Sequence, residues 1–290
     1  MELVLDIVLD ALIDTAKLVP FLFVTYLAME ALERAAGDKT AEAVERAGHA
    51  GPFIGALLGA FPQCGFSAAA ATLYAGRVIT LGTLIAVFLA TSDEMLPIMI
   101  AEQVEPTLIL KILGIKVIVG MLAGFAIDAA AYILRRNASG ELHIHELCEA
   151  DNCHCHDEEG GIVRSAFNHT VQVTVFIFLV SLALTAIVEV VGQATFSLFL
   201  VSNPELSVVA SALVGLIPNC AASVIITELY LEGTLGFGAT MAGLLVSAGI
   251  GLLVLFRTNR RMRENFMVVA LLLAVGVFFG LVFTALGFSL

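Results

Sequence analysis

The chain contains no tryptophan, and only 14 of its 290 residues are lysine or arginine. Without tryptophan, any aromatic belt at a membrane interface must come from phenylalanine and tyrosine. No basic run is long enough to suggest nucleic-acid binding, and no Gly-x-x-x-x-Gly-Lys-[Ser/Thr] motif marks an ATPase site. The opening Met-Glu-Leu-Val-Leu-Asp lacks the basic region of a cleavable signal, so we expect the first helix to remain in the mature protein.

Hydrophobic residues, in contrast, make up 59% of the chain. They gather in stretches of about 20 residues or more, the length at which a helix crosses a bilayer. Spanning helices are predicted at roughly 8–33, 78–100, 108–134, 167–200, 234–256 and 265–288. The sequence therefore predicts an all-α polytopic membrane protein.

A short motif occurs twice, 156 residues apart, inside two other apolar stretches. Both copies hold a proline, an amide, a cysteine and a serine in the same order: Pro62, Gln63, Cys64 and Ser67, then Pro218, Asn219, Cys220 and Ser223. Proline breaks a helix, and broken backbone at membrane depth is tolerated only where protein buries it or a wet cavity adjoins it. Segments 51–75 and 206–231 are therefore predicted to be broken helices or re-entrant hairpins.

The polar linker 136–165 separates two membrane repeats, predicted at 1–135 and 166–290. Arg257, Arg260, Arg261 and Arg263 crowd one loop of the second repeat, whereas the matching loop 101–106 has no basic residue. The positive-inside rule places the basic loop in the cytoplasm. Matching loops then lie on opposite sides, which predicts an inverted-topology repeat whose hairpins meet near the midplane. The linker is predicted to be cytoplasmic.

Where the two hairpins meet, the repeated side chains would form a small cage of soft sulfur and neutral oxygen ligands. Spacings of three residues let thiol and hydroxyl share a helix face. Two alternatives stay open. The cysteines and serines can be ordinary packing residues, or free N–H groups at the half-helix starts can hold an anion.

A second candidate feature is the acidic pair Asp93 and Glu94. Asp93 lies about 15 residues into helix 78–100, or roughly 22 Å. Carboxylates inside a membrane usually mark an ion or proton path, and their hard oxygens suit a divalent cation. Alternatively, the pair caps a helix near the outer interface. Candidate coupling residues are Lys116, also a candidate counter-charge for the pair, Asp128 and Glu228.

The linker carries a dense array of thiol and imidazole groups: His143, His145, Cys148, Cys153, His154, Cys155 and His156. Such groups bind transition metals. The array lacks zinc-finger spacing, so it is predicted to be a flexible metal-capturing or metal-sensing loop. The alternative is an acidic linker in which these residues are incidental.

The twin Pro-Gln-Cys-Gly-Phe-Ser and Pro-Asn-Cys-Ala-Ala-Ser segments, the Thr-Ser-Asp-Glu stretch and the His/Cys-rich loop resemble the ten-helix heavy-metal exporter family. Its members are often labelled manganese transporters or arsenic efflux proteins. The resemblance covers nearly the whole chain and implies a bacterial or archaeal inner-membrane exporter. Thiols favour zinc, cadmium, copper(I) or trivalent arsenic, whereas carboxylates suit manganese.

We therefore expect a secondary transporter that exports a divalent transition metal, driven by protons or by the membrane potential. The metal is expected as substrate, with no permanently bound cofactor, and homo-oligomers are a further candidate state. Competing hypotheses are an oxyanion transporter, a metal-sensing receptor and a channel. An enzyme is not expected, because no histidine lies deep in a predicted span and no nucleophile–base pair is evident.

Overall fold

The computed structural model describes residues 50–62, 64–92, 95–134 and 204–287, together with single positions between 8 and 27 and between 163 and 182. No strand occurs in these ranges. The helices with described bounds are α1 (Gly51–Gly59), α2 (Cys64–Ala75), α3 (Leu81–Ala90), α4 (Met95–Ala101), α5 (Pro106–Leu134), α6 (Pro204–Gly215), α7 (Cys220–Leu231), α8 (Phe237–Val246), α9 (Gly251–Thr258) and α10 (Met262–Ala285).

Four helical stretches in the described ranges are long and apolar enough to cross a membrane: Leu81–Ala101, Pro106–Ile133, Phe237–Thr258 and Met262–Ala285. Every residue of α8 is buried, as is almost all of α3. By contrast, α5 and α10 expose large apolar side chains such as Leu110, Leu122 and Phe278. Exposed apolar faces around a buried centre are expected where the solvent is lipid. The predicted class, an all-α polytopic membrane protein, is confirmed.

The helices repeat at the same 156-residue interval as the sequence motif. Residues 64–75 of α2 correspond to 220–231 of α7, and residues 81–90 of α3 correspond to 237–246 of α8. The packing repeats as well, since α3 packs between α1 and α5 as α8 packs between α6 and α10. The duplication therefore extends from sequence to helix bounds and neighbours. The opposite membrane orientation of the repeats and their boundaries stay predictions.

Glycines bring paired helices into backbone contact in both repeats. A Cβ added at Gly124 on α5 would lie 2.6 Å from the carbonyl oxygen of Gly82 on α3. The matching Cβ at Gly280 on α10 would lie 2.8 Å from the carbonyl oxygen of Gly238 on α8. No side chain fits at these distances. Small residues that allow close backbone approach are the usual means by which membrane helices associate.

Both central spans are interrupted half-way, which the sequence analysis did not expect of helices 78–100 and 234–256. In the first, α3 ends at Ala90 and α4 begins at Met95. The Thr91 hydroxyl donates to the Val87 carbonyl at 2.8 Å, an alternative to the helical backbone pattern. In the second, Gly249 lies between α8 and α9 with φ of 54°, a conformation that glycine adopts readily.

Candidate substrate site

The two hairpin turns have the same construction. Helix α1 ends at Gly59 and α2 begins at Cys64, so Pro62 lies in a non-helical connection. Pro218 has the same position between α6 and α7, which begins at Cys220. Asn219 is buried and is the N-cap of α7, where its side-chain oxygen accepts from the Ala221 N–H at 3.5 Å. Both cysteines are therefore the first residues of helices.

The second arm of each hairpin crosses to the other repeat. Helix α2 packs against α9, and α7 packs against α4. Ser67 on α2 is fully buried beside Gly251, the first residue of α9. Ser223 on α7 is buried and lines a cavity together with Met95, the first residue of α4. Each of these predicted site serines thus lies beside the break in the opposite repeat.

The cavity beside Ser223 combines groups from both repeats. Its space is about that of a single water molecule. Its lining residues are Thr91, Ser92, Met95, Lys116, Ser223, Leu244 and Ser247. Ser67 is not among them. Hydroxyl and carbonyl groups that line a space of this size can contact a dehydrated ion or a small polar group.

Lys116 places an ammonium group on this cavity. Its side chain is 1% exposed. The Nζ atom donates to the carbonyl oxygen of Thr91 and, at 2.8 Å, to that of Leu244. Thr91 is the C-cap of α3, and Leu244 lies in the last turn of α8, where carbonyls lack helical partners and the helix dipole is negative. The lysine therefore joins the C-terminal ends of two helices, one from each repeat.

The depth of Lys116 fits a position inside the membrane. It lies ten residues after Pro106, or about 15 Å along α5. That distance is half of the roughly 30 Å hydrocarbon core. The breaks after Ala90 and Val246 follow ten-residue helices and so lie at a similar distance from their starts. Irregular backbone at this depth is typical of transporter sites.

A family model described as "Putative, 10TM heavy-metal exporter" matches residues 1–160 and 158–288. The chain belongs to this family. No curated protein and no solved structure matches it. Membership makes this chain a multi-pass membrane protein of a heavy-metal exporter family, for which the metal ion is the substrate. Because the family is one of exporters, its general activity is transport and not catalysis.

The three candidate coupling residues of this exporter-family protein lie in three separate places. Lys116 lies in the cavity. Asp128 accepts from the Gly82 N–H at 2.8 Å and from the Thr80 hydroxyl at 2.6 Å, which gives it a structural role at the start of α3. Glu228 is exposed on α7. Any coupling role for these three residues stays a prediction.

Other predicted ligands of the exporter fall outside the described residues. These are Gln63, Asp93, Glu94 and the seven linker residues of 143–156. In the sequence, Asp93 and Glu94 fall between Ser92, which is 1% exposed, and Met95, which is fully buried. Within the described part of the chain, no three His, Cys, Asp or Glu side chains come together.

Thr91 and Ser247 are site residues that the sequence analysis did not select. Both line the cavity, and they are 156 residues apart, so they occupy matching positions in the two repeats. A hydroxyl at both positions was a usable signal. The carbonyl oxygens that bind Lys116 left no such signal, because every residue has a carbonyl.

A second polar contact between the repeats lies at one end of the molecule. Arg77, just after α2, donates to Glu264 on α10 at 2.6 Å, and Tyr74 donates to the same carboxylate at 3.4 Å. Arg261 also pairs with Glu264 at 3.4 Å. Arg77 and Arg261 therefore lie at the same end of the exporter.

Proposed function

We propose that this protein exports a divalent transition metal ion by secondary transport, through a site between its two Pro-x-Cys-x-x-Ser hairpins. One observation carries the proposal. Ser223 of the second hairpin lines a buried cavity with the broken helix α3–α4 and the end of α8. Many secondary transporters form their substrate site where broken helices from two repeats meet near the middle of the membrane.

The ligand chemistry supports a borderline or soft metal. Cys64 and Cys220 supply thiols, which favour zinc or cadmium, while the Ser67 and Ser223 hydroxyls supply neutral oxygen. A pair of carboxylates from Asp93 and Glu94 would add hard ligands, so manganese belongs in the test panel. The metal is the cargo, with no resident cofactor. The proton gradient or the membrane potential would drive its export.

In the same proposal, the protein lies in a prokaryotic inner membrane with linker 136–165 in the cytoplasm. The linker's cysteines and histidines would capture metal on the side from which it is exported. Support comes from the basic loop that contains Arg261, which shares Glu264 with Arg77. Positive charge gathered at one end of a membrane protein favours the cytoplasmic side.

Flux through the purified protein in liposomes tests the proposal. The panel is manganese, zinc, cadmium, arsenite and phosphate, and the test variant is Cys64→Ser/Cys220→Ser. The matched control is Cys148→Ser/Cys153→Ser/Cys155→Ser, which removes only linker thiols. We expect flux of at least one divalent metal in the wild type and in the control, and its loss by about tenfold or more in the hairpin variant, because serine replaces a soft ligand with a harder one.

Two results would contradict this function. Equal metal flux in the hairpin variant and the wild type would exclude the thiols as ligands. Linker metal binding without flux of any panel member, in protein that remains folded, would favour a metal-sensing receptor.

A second candidate function is transport of an anionic substrate, and the buried ammonium of Lys116 is the observation that favours it. A fixed positive charge on the cavity attracts an oxyanion and repels a metal ion unless acidic groups offset it. Phosphate or another oxyanion would then be moved by the hairpin variant as well as by the wild type. Its flux would fall in Lys116→Met, which keeps the length of the side chain and removes its charge.

A further inference from the structure

The Lys116 ammonium fills the point at which the C-terminal ends of α3 and α8 meet. Its two described partners are the backbone carbonyl oxygens of Thr91 and Leu244, one in each repeat. Both carbonyls lie where a helix has run out of N–H donors and carries the negative end of its dipole. Such a pair of ends attracts a cation whatever its source.

The rest of the described cavity lining has the chemistry of a shell for a monovalent cation. Ser92, Ser223 and Ser247 add hydroxyl groups. Neutral oxygens from unwound backbone and half-helix C-termini are the ligands that coordinate sodium in transporters with broken helices. Among the described lining residues, the thioether of Met95 is the one soft ligand. This shell suits a small cation of single charge.

The first repeat has a lysine at a position where the second repeat has an apolar residue. Adding 156 residues to Lys116 gives Leu272 on α10, which is fully buried and apolar. The duplicated packing therefore tolerates an apolar side chain at this depth. The first repeat instead buries a charge there, which is costly in a membrane unless the charge is paired or functional.

We propose that the C-terminal ends of α3 and α8 form a monovalent-cation site that the Lys116 ammonium occupies as a tethered cation, and that a small free cation can replace it. The tethered cation holds the two repeats together at the centre of the protein. If the side chain is shortened, the site stays and becomes able to bind methylammonium or sodium. This site is a property of the folded chain and holds whichever substrate is moved.

The test is chemical rescue of stability in the full-length purified protein. Lys116→Ala leaves room for a small cation, whereas Lys116→Met fills the space with an uncharged side chain. Leu272→Ala is the matched control, because it removes a buried side chain at the equivalent position without exposing a cation site. Unfolding temperatures are measured against increasing methylammonium or sodium chloride, with choline chloride as the salt whose cation is too large to enter.

We expect Lys116→Ala to unfold about 5 °C or more below the wild type. Methylammonium should recover at least half of that loss in a saturable manner, and choline should not. For Leu272→Ala and Lys116→Met, the change in unfolding temperature with methylammonium should be no larger than the change with choline. The same recovery with sodium would identify inorganic monovalent cations as ligands, and recovery with methylammonium alone would restrict the site to ammonium groups.

Three results would overturn the proposal. They are equal responses of Lys116→Ala to methylammonium, sodium and choline, a rescue of the same size in Leu272→Ala, or wild-type stability of Lys116→Met. If Lys116→Ala cannot be purified in ordinary buffer, its yield of folded protein is compared after solubilisation in methylammonium and in choline. A higher yield in methylammonium supports the site, and equal failure in both salts contradicts it.

Discussion

Replacing Asp128 by alanine should lower the free energy of unfolding by about 3 kcal/mol. The carboxylate accepts hydrogen bonds from the Gly82 N–H at 2.8 Å and from the Thr80 hydroxyl at 2.6 Å. A hydrogen bond to a charged group contributes about 1.5–3 kcal/mol, and the lower end applies to each bond because Asp128 is only half-buried. Two bonds at the lower end give the stated loss.

The cost is a property of the start of α3. The Gly82 N–H belongs to the first turn of that helix, where no earlier carbonyl is available to accept it. Thr80 is the N-cap, and its side-chain oxygen accepts from the Thr83 N–H at 3.1 Å. Asp128 on α5 therefore holds the cap and the first turn together. Its removal should weaken the contact between α3 and α5.

Asp128→Asn separates this structural role from proton coupling. The amide keeps the shape and one oxygen, so the Gly82 bond can persist while the Thr80 bond loses its acceptor, and we expect a loss of about 1–2 kcal/mol. Stability is measured by denaturant or thermal unfolding. The control is Glu228→Gln, at an exposed position, which should change stability by less than about 0.5 kcal/mol.

Two results would refute this reasoning. Unchanged stability of Asp128→Ala would show that the two hydrogen bonds do not support α3. Full stability of Asp128→Asn together with loss of the pH-gradient dependence of flux would assign the residue to coupling. If the carboxylate is structural, flux per folded molecule should keep its dependence on the gradient.

Further predictions concern packing, the end of the molecule and the linker. Gly124→Ala should cost about 1–3 kcal/mol in thermal unfolding because its Cβ would lie 2.6 Å from a carbonyl oxygen. The Cβ of Gly114→Ala on the same helix would meet nothing within 4 Å, so this control should be neutral or slightly stabilising. Equal changes in unfolding temperature for the two variants would contradict the close packing at Gly124. A double-mutant cycle of Arg77→Ala and Glu264→Ala should give a coupling energy of about 1 kcal/mol, because the ion pair is only partly exposed. A coupling energy of zero would show that this ion pair does not stabilise the contact between the repeats. Replacing the cysteines and histidines of 143–156 by serine and alanine should abolish zinc binding by the linker in equilibrium dialysis, and unchanged stoichiometry would contradict the predicted metal loop.

The membrane class and the repeat could be predicted because their signals are local. Apolar stretches long enough to cross a bilayer are read directly from composition, and a proline marks each hairpin turn whatever the rest of the chain does. The 156-residue interval between Pro62 and Pro218 also gave the correct correspondence between helices. The same interval relates α3 to α8, although these helices carry no repeated motif as clear as the one at the hairpin turns.

The interruptions between α3 and α4 and between α8 and α9 could not be predicted in the same way. Residues 91–94 are Thr-Ser-Asp-Glu, but the apolar residues on both sides keep the mean hydropathy over Leu81–Ala101 high enough for one membrane span, and the same holds for Phe237–Thr258. The first break holds no proline or glycine within residues 91–94, and the Thr91 carbonyl at its start accepts from Lys116, a residue of another helix. That partner exists only once the chain has folded. Lys116 is recognisable in the sequence as a charge within a membrane span, but nothing in the sequence marks backbone oxygens as its partners.

Comparison of the two repeats distinguishes residues that stabilise the fold in both repeats from residues that make the substrate site differ between them. Gly82, Gly124 and Ser67 have counterparts 156 residues on, at Gly238, Gly280 and Ser223, and the close glycine contact and the packing of each hairpin arm on the opposite repeat recur there. Asp93, Glu94 and Lys116 have no charged counterpart, because the matching positions are Gly249, Ile250 and Leu272. In the predicted inverted arrangement with alternating access, the repeated residues offer a substrate the same environment from both sides of the membrane. A difference in how the substrate is held in the two access states then comes from groups present in one repeat alone. The three charges at the first break are such groups, and for that reason their substitution should alter transport more than substitution of any repeated hydroxyl.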